Sequence, residues 1–445
     1  MPKTYPGIAV QIPKVWLPVP QVDLAKWSVI ACDQFTSQQE YWQAVASKVV
    51  AAPSTYHLIL PEVYLEKAGV AERIKRIHDT MLEYLSQGLL QPREGMVYVE
   101  RSMGSGLRRG VILALDLEQY DFNPGAHSLV RSTEGTILDR LPSRIKIRQG
   151  GILELPHILV LIDDSERTVV EPLAQSCQRL EPLYSFNLML DSGHLAGWLV
   201  DDQGLENGVI QALQALAQPQ TYAQRYGLDK QDGVLLYAVG DGNHSMASAK
   251  AMWEELKKQP GVRMDHPARY ALVEVQNLHD ESLCFEPIHR VVFGVPNSSE
   301  DILRSYFNGN VTFTACPKIE NLVERIALLN AEIACGHAVG MVTAQGMEVA
   351  RIANPAFQLP VGTIQALVDE LLETGQAERV DYVHGAVVAA ELGAQPGNVG
   401  FILPPLAKED LFRTVILDGA LPRKTFSIGE ARGKRFYMES RMIVP

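Results

Sequence analysis

Apolar residues follow two alternating rhythms along the chain. Between residues 39 and 86 the spacing is helical. Tyr41, Trp42, Val45, Val49 and Val50 recur at intervals of three and four behind Ser37, a residue type that caps helix starts. Val70, Ile74, Ile77, Met81, Leu82 and Leu85 form the stripe of a longer amphipathic helix. The short apolar runs WSVIAC (27–32) and YHLIL (56–60) read as strands ahead of these helices. From Gly95 the period shortens. GMVYVERSM and LRRGVILALDLEQY flank a Gly-Ser-Gly turn and predict a hairpin, so the G-x-G beside Arg108 and Arg109 needs no ligand to explain it.

Further strands are expected at RIKIRQG, HILVLIDD, GWLVDDQ, GVLLYAV, RYALVEVQNL and HRVVFGV, with helices over 205–216 and 244–258. Pro296, Asn297 and Ser298 then break the pattern, and Asp301 opens another helix. Two more helices, NLVERIALLNAEI and TIQALVDELLETG, enclose a hairpin over 338–353. The whole reads as α+β: a mixed β-sheet core with helices over 1–292, plus a second, smaller α/β unit over 293–445. The last forty residues are compatible with a return to the first unit.

Composition narrows the function. Hydrophobic residues make up 47% and charged residues 21%, as in ordinary globular proteins. Forty basic against 52 acidic residues give a net charge of -12, which disfavours nucleic acid and anionic membrane surfaces as partners. Five widely spaced cysteines (Cys32, Cys177, Cys284, Cys316 and Cys335) without C-x-x-C read as reduced thiols in a cytoplasmic protein. The proline-broken N-terminal stretch does not read as a signal peptide, and no apolar run is long enough to span a bilayer. His57, His157, His194, His289 and His384 lie beside apolar runs and read as hydrogen-bonded core residues, and no zinc spacing occurs. Cys32, after an apolar run, reads as buried filler before it reads as a nucleophile.

One turn carries more chemistry than a connection needs. In YAVGDGNHSMASAK (237–250) a buried strand runs through Gly240 and Gly242 into a helix. Glycines let a ligand approach the backbone, and a helix start offers N–H groups and a positive dipole end, so the turn predicts an anion site. Asn243, His244 and Ser245 add side-chain donors, and Asp241 is a candidate magnesium ligand or cap. A capped helix start with polar filler explains the same residues, and a Walker lysine is missing. A second constellation, LVRSTEGTILDRLPSRIKIR (129–148), packs Arg131, Arg140, Arg144, Lys146 and Arg148 around Glu134. Phosphoryl transfer needs a cationic clamp and a carboxylate that takes the hydroxyl proton, and Arg131 with Glu134 fits both roles. A solvated, salt-bridged loop is the other reading. Arg423 and Lys424 in LPRKTFSIGE (421–430) are further candidate cations, or a basic surface loop.

These residues carry a resemblance. DGNHS before an alanine-rich helix, together with KWSVIACDQFTSQQEYW, RSTEGTILDRLPSRIKIRQGGILELPHILVLIDD, FEPIHRVV and LPRKTFSIGEARGKRFYMESR, is similar to a bacterial family of uncharacterised proteins, domain of unknown function 1015. That family more distantly resembles the ParB/sulfiredoxin superfamily, which holds nucleotide phosphates on a strand–turn–helix and includes free serine kinases with a glutamate base. The resemblance implies a ParB/sulfiredoxin-like element, with Gly240, Gly242, Asn243, His244, Ser245, Arg131, Arg423 and Lys424 around phosphate. It also implies Glu134, Asp241 and His244 as catalytic candidates, Glu134 as the base. Where shorter relatives read D-G-H-H-R, Asn243 replaces the first histidine and Ser245 the arginine, so a phosphate-clamping cation must come from elsewhere. The expected function is a phosphotransferase that uses Mg2+ and ATP or ADP on a small hydroxylated metabolite such as free serine. A ParB-like nucleotide-responsive protein without turnover, or a phosphatase of small phosphoesters, are the alternatives.

Overall fold

The computed structural model describes residues 2–36, 38–65, 67–104, 106–123, 125–135, 141–228, 233–295, 298–332, 335–429 and 431–445. Ser37, Arg140, Pro296 and Asn297, singled out above, lie outside the described residues. Contacts divide the chain into two units, 1–284 with 428–445, and 285–427. The division was expected at 292/293, with the last forty residues either in the second unit or returning to the first. It falls at Cys284/Phe285 instead, and the tail from Ile428 belongs to the first unit.

A mixed sheet organises the first unit. In spatial order its strands are Glu181–Asn187, His194–Val200, Met96–Met103, Gly106–Asp116, Tyr270–Asn277, Leu159–Ile162, Tyr237–Asp241, Val130–Ser132 and Tyr120–Asp121. The Gly106–Asp116 and Met96–Met103 strands form the expected hairpin, with Met103 opposite Gly106. Leu159–Ile162 runs parallel to Tyr270–Asn277 and antiparallel to Tyr237–Asp241. Val130–Ser132 is parallel to Tyr237–Asp241, Ser132 facing Val239. Every residue of Leu159–Ile162 is fully buried, which explains its unbroken apolar sequence. Over one side of the unit lie the helices Gln39–Val49 and Val70–Ser86, whose Trp42, Val45, Ile77 and Met81 join Trp27, Val97, Ile112 and Tyr437 in one core.

Three expected strands are not strands. WSVIAC makes a single bridge, Ile30 to Phe436 of the tail, after a short helix Leu24–Trp27. YHLIL is a 3₁₀ turn, Thr55–His57, capped by the Ser54 hydroxyl, with Leu58 and Leu60 buried behind it. RIKIRQG lies in the helix Leu141–Arg148, which packs on the helix Asn243–Leu256. Val50, counted in a helical stripe, is the exposed residue after the helix end, with φ 54°.

The second unit has its own sheet, in the order Val311–Ala315, Gly346–Ala353, Gly336–Thr343, Asn398–Ile402, Phe285–Phe293 and Arg379–His384. Its core gathers Val291, Leu322, Ile326, Ala338, Val349 and Ile402. The helices Ile319–Glu332 and Pro360–Glu373 and the hairpin between them follow the sequence pattern. Among the described residues no helix is long and apolar enough to cross a membrane.

Candidate phosphate-binding site

The Tyr237–Asp241 strand enters the turn with Tyr237, Ala238 and Val239 completely buried. Gly242 sits at φ 78°, ψ 25°, immediately before the Asn243–Leu256 helix, and no side chain caps that helix. A side chain at Gly242 is ruled out twice. The left-handed backbone disfavours one, and its Cβ would stand 3.0 Å from Ile158 Cα. Gly240 has another reason to be glycine. Its Cβ would meet Ile428 Cδ1 at 2.9 Å and Leu161 Cδ1 at 3.1 Å. Close approach of a ligand to both glycines was expected, but core packing occupies that space. The side of the turn that remains is the first turn of the helix, where Asn243, His244 and Ser245 are half-buried.

The second motif lies beside the first. Because Val130–Ser132 runs parallel to Tyr237–Asp241, both chains leave the sheet at the same end. The Ser132 hydroxyl ties them: its Oγ is 2.6 Å from Asn243 Oδ1 and 2.7 Å from the Glu134 carbonyl oxygen. Thr133 Oγ1 donates to the Val239 carbonyl at 2.6 Å. Glu134 is thereby held next to the helix start, partly exposed. Arg131 is not. It is 4% exposed, its Nε donates to the Ser128 carbonyl at 2.9 Å, and its Nη2 donates to the Gly233 carbonyl. Both carbonyls precede the paired strands, so this guanidinium braces the strand entry rather than the turn. Arg144 pairs with Glu62, and Arg148 with Glu154. Arg423 and Lys424 belong to the second unit, where Arg423 pairs with Asp369 at 3.2 Å and Arg290 donates to both their carbonyls.

A cation that sequence reasoning passed over lies beside the turn. Lys434 Nζ lies 3.1 Å from Asp241 Oδ2, and Lys434 is 8% exposed. Its backbone is gripped by arginines of the hairpin. Arg101 donates to the carbonyls of Arg432 and Lys434, and Arg108 donates to that of Gly433 at 2.8 Å. Asp241 Oδ1 also accepts from the Gly242 N–H at 2.9 Å, so the carboxylate locks the turn while it neutralises the lysine.

His157, read from the sequence as a core histidine, belongs here too. Its Nε2 lies 3.2 Å from Asp33 Oδ2 and 3.3 Å from Ser245 Oγ, and its Nδ1 lies 2.8 Å from the Tyr437 hydroxyl. Burial acts to lower the imidazole pKa, but the Asp33 carboxylate overcomes it, and the net direction is upward. Burial likewise pushes the Asp33 carboxyl up, and His157 with Lys434 reverses this, holding it below its ordinary range. Burial and the neighbouring Asp33 push the Cys32 thiol up, away from nucleophile chemistry. The available signals were CDQF (32–35) and GKRFYMES (433–440), both within strings that carry the family resemblance.

Among the described residues, no group of three His, Cys, Asp or Glu side chains is placed to hold a metal ion. One carboxylate beside an uncapped helix start fits magnesium that arrives with phosphates and keeps most of its waters, rather than a resident ion.

No curated protein matches the sequence. Several solved structures are similar in fold. A conserved hypothetical protein from Pyrococcus furiosus is 10% identical, with 75% of this chain and 95% of that chain covered and a TM-score of 0.35. A free serine kinase, as a mutant in complex with ADP, is 11% identical over 75% of this chain and 92% of that one, TM-score 0.36. SbnI with C-terminal truncation, from Staphylococcus aureus, is 11% identical over 75% and 82%, TM-score 0.34. In sequence the match is direct: over residues 16–371 the chain fits the family described as protein of unknown function (DUF1015), and it belongs to that family.

Proposed function

We propose that the protein is a nucleotide-dependent phosphotransferase acting on a small hydroxylated metabolite, free serine being the first candidate. The observation that carries this reading is the pairing of the two motifs. Glu134 and the Asn243–Leu256 helix start leave one end of adjacent parallel strands, joined by Ser132. In this reading the first-turn N–H groups with Asn243, His244 and Ser245 hold the phosphates, and Lys434 takes the clamping role assigned above to Arg131, Arg423 and Lys424. Asp241 faces the magnesium that the nucleotide brings, and that ion would neutralise charge on the phosphates. Glu134 takes the proton from the attacking hydroxyl, His244 standing beside it as the further catalytic candidate.

The test is direct. Protein, magnesium, ATP or ADP and serine are mixed, and phosphoserine is followed by mass spectrometry. Product with either nucleotide is expected, with at least a hundredfold loss in Glu134→Gln, on the order of a removed general base. No product across a panel of small hydroxy acids removes the kinase reading. Full activity in Glu134→Gln removes that residue from it.

A further inference from the structure

We propose that His157 is a positioning residue that turns the Ser245 hydroxyl into a donor toward a phosphoryl oxygen at the head of the Asn243–Leu256 helix. The inference rests on the phosphate-binding reading above and adds a residue which that reading does not use.

His157 Nε2 faces two oxygens, Asp33 Oδ2 at 3.2 Å and Ser245 Oγ at 3.3 Å. An ionised carboxylate can only accept, so Nε2 carries a hydrogen. Towards that N–H the Ser245 oxygen is an acceptor, and its own proton is left for another acceptor. Ser245 is the third residue of the helix, half-buried, on the turn whose N–H groups face an incoming anion. The ring is held from its other side: Nδ1 is 2.8 Å from the Tyr437 hydroxyl, which accepts from the Cys32 N–H at 3.1 Å. With His157 5% exposed, the ring has one orientation.

Charge works in the same direction. Facing His157 are Asp33 from the loop after Leu24–Trp27 and Glu62 (itself paired with Arg144) from the next turn. Asp241 faces it from the sheet and Tyr437 from the tail, while Lys434 acts on the Asp33 and Asp241 carboxylates. The carboxylates outweigh burial and favour the imidazolium. Because Nε2 already carries the hydrogen that faces Asp33, it has no lone pair with which to take a proton from Ser245, so Ser245 is not a nucleophile activated at that nitrogen. The imidazolium can orient that hydroxyl and add positive charge where an oxyanion binds.

The experiment measures calorimetric binding of ADP and of inorganic sulfate, whose charge is constant from about pH 6 to about pH 10, so any pH dependence comes from the protein, and comparison with His157→Gln separates His157 from His244, in the same turn as Ser245. Wild-type sulfate affinity is expected to fall as the pH rises beyond the ordinary imidazole value of 6.5. Ser245→Ala is expected to bind sulfate about fivefold more weakly with a shallower pH profile, and Ser245→Thr to restore both. His157→Gln, checked for folding by circular dichroism, is expected to bind about tenfold more weakly with a shallower profile than the wild type. If His157→Gln does not fold, the serine pair decides. A wild-type profile in Ser245→Ala, or a flat profile in the wild type, overturns the role of His157 while ADP binding keeps the broader reading. Absence of ADP binding to the wild type overturns the phosphate site itself.

Discussion

Gly242 is the most constrained residue of the candidate site. Its φ of 78° and the 3.0 Å that would separate an added Cβ from Ile158 Cα act together. Gly242→Ala is expected to cost about 2 kcal/mol in urea unfolding, combining left-handed strain with overpacking. The Asp33–His157 pair sets a pH window. The Asp33 carboxyl is depressed, so its contribution is present above the unfolded carboxyl range and is lost as pH falls through the folded value. The His157 pKa is raised, so its contribution is complete below the unfolded imidazole value and is lost as pH rises through the folded one. The stability difference between wild type and His157→Gln is therefore expected to peak at about pH 5 to 6 and shrink on both sides, read from urea melts across pH. DGNHS and RSTEG stand out in sequence because each motif is local, and the structure sets the two side by side. Lys434 does not, because it lies far along the chain from Asp241 and its own neighbours give no periodic signal.

Elements with a long uniform rhythm were read correctly, and the three misread segments are all short. Tyr270–Asn277 begins with an apolar run and is buried at every position, Glu274, Gln276 and Asn277 included. RIKIRQG alternates as a strand would, yet it is helical, because packing on Asn243–Leu256 outweighs a pattern only a few residues long. WSVIAC has the apolar content of a strand, but the segment it bridges lies in the distant tail. That tail is the element on which the site depends. Arg101, with its pKa pushed down to about 9 by burial and then by Arg108, still reaches three carbonyls, those of Ser192, Arg432 and Lys434. Arg101→Ala leaves these buried acceptors without their donor. The expected outcome is a loss of about 3 kcal/mol and faster hydrogen exchange over 432–436, with ADP affinity falling in step. Unchanged exchange in that segment would remove the tail-anchoring role.

At the scale of the whole molecule, the first unit is discontinuous in sequence. Residues 285–427 form a unit of their own, and 428–445 complete the first one. The returning segment contributes buried charge as well as apolar surface. Arg435 pairs with Glu274 and with Glu439 at 2.5 Å, and Arg441 Nε pairs with Glu154 at 2.7 Å. Removing 428–445 would take Arg435 from the buried Glu274 and Arg441 from Glu154, which keeps Arg148, a defect of several kcal/mol. A chain cut at residue 427 is expected to lose cooperative unfolding of the first unit, while the second-unit core around Val291 and Leu322 stays protected in hydrogen exchange. Equal loss of protection in both would show that the units do not stand separately.

Translation gives this arrangement a direction in time. The ribosome makes Asp33, His157 and Asp241 early, then all of residues 285–427, and only afterwards Lys434 and Tyr437. A nascent polypeptide stalled anywhere in between holds Asp241 without its counter-charge. Any catalysis at this helix start therefore begins only after the last of the inserted unit has left the exit tunnel.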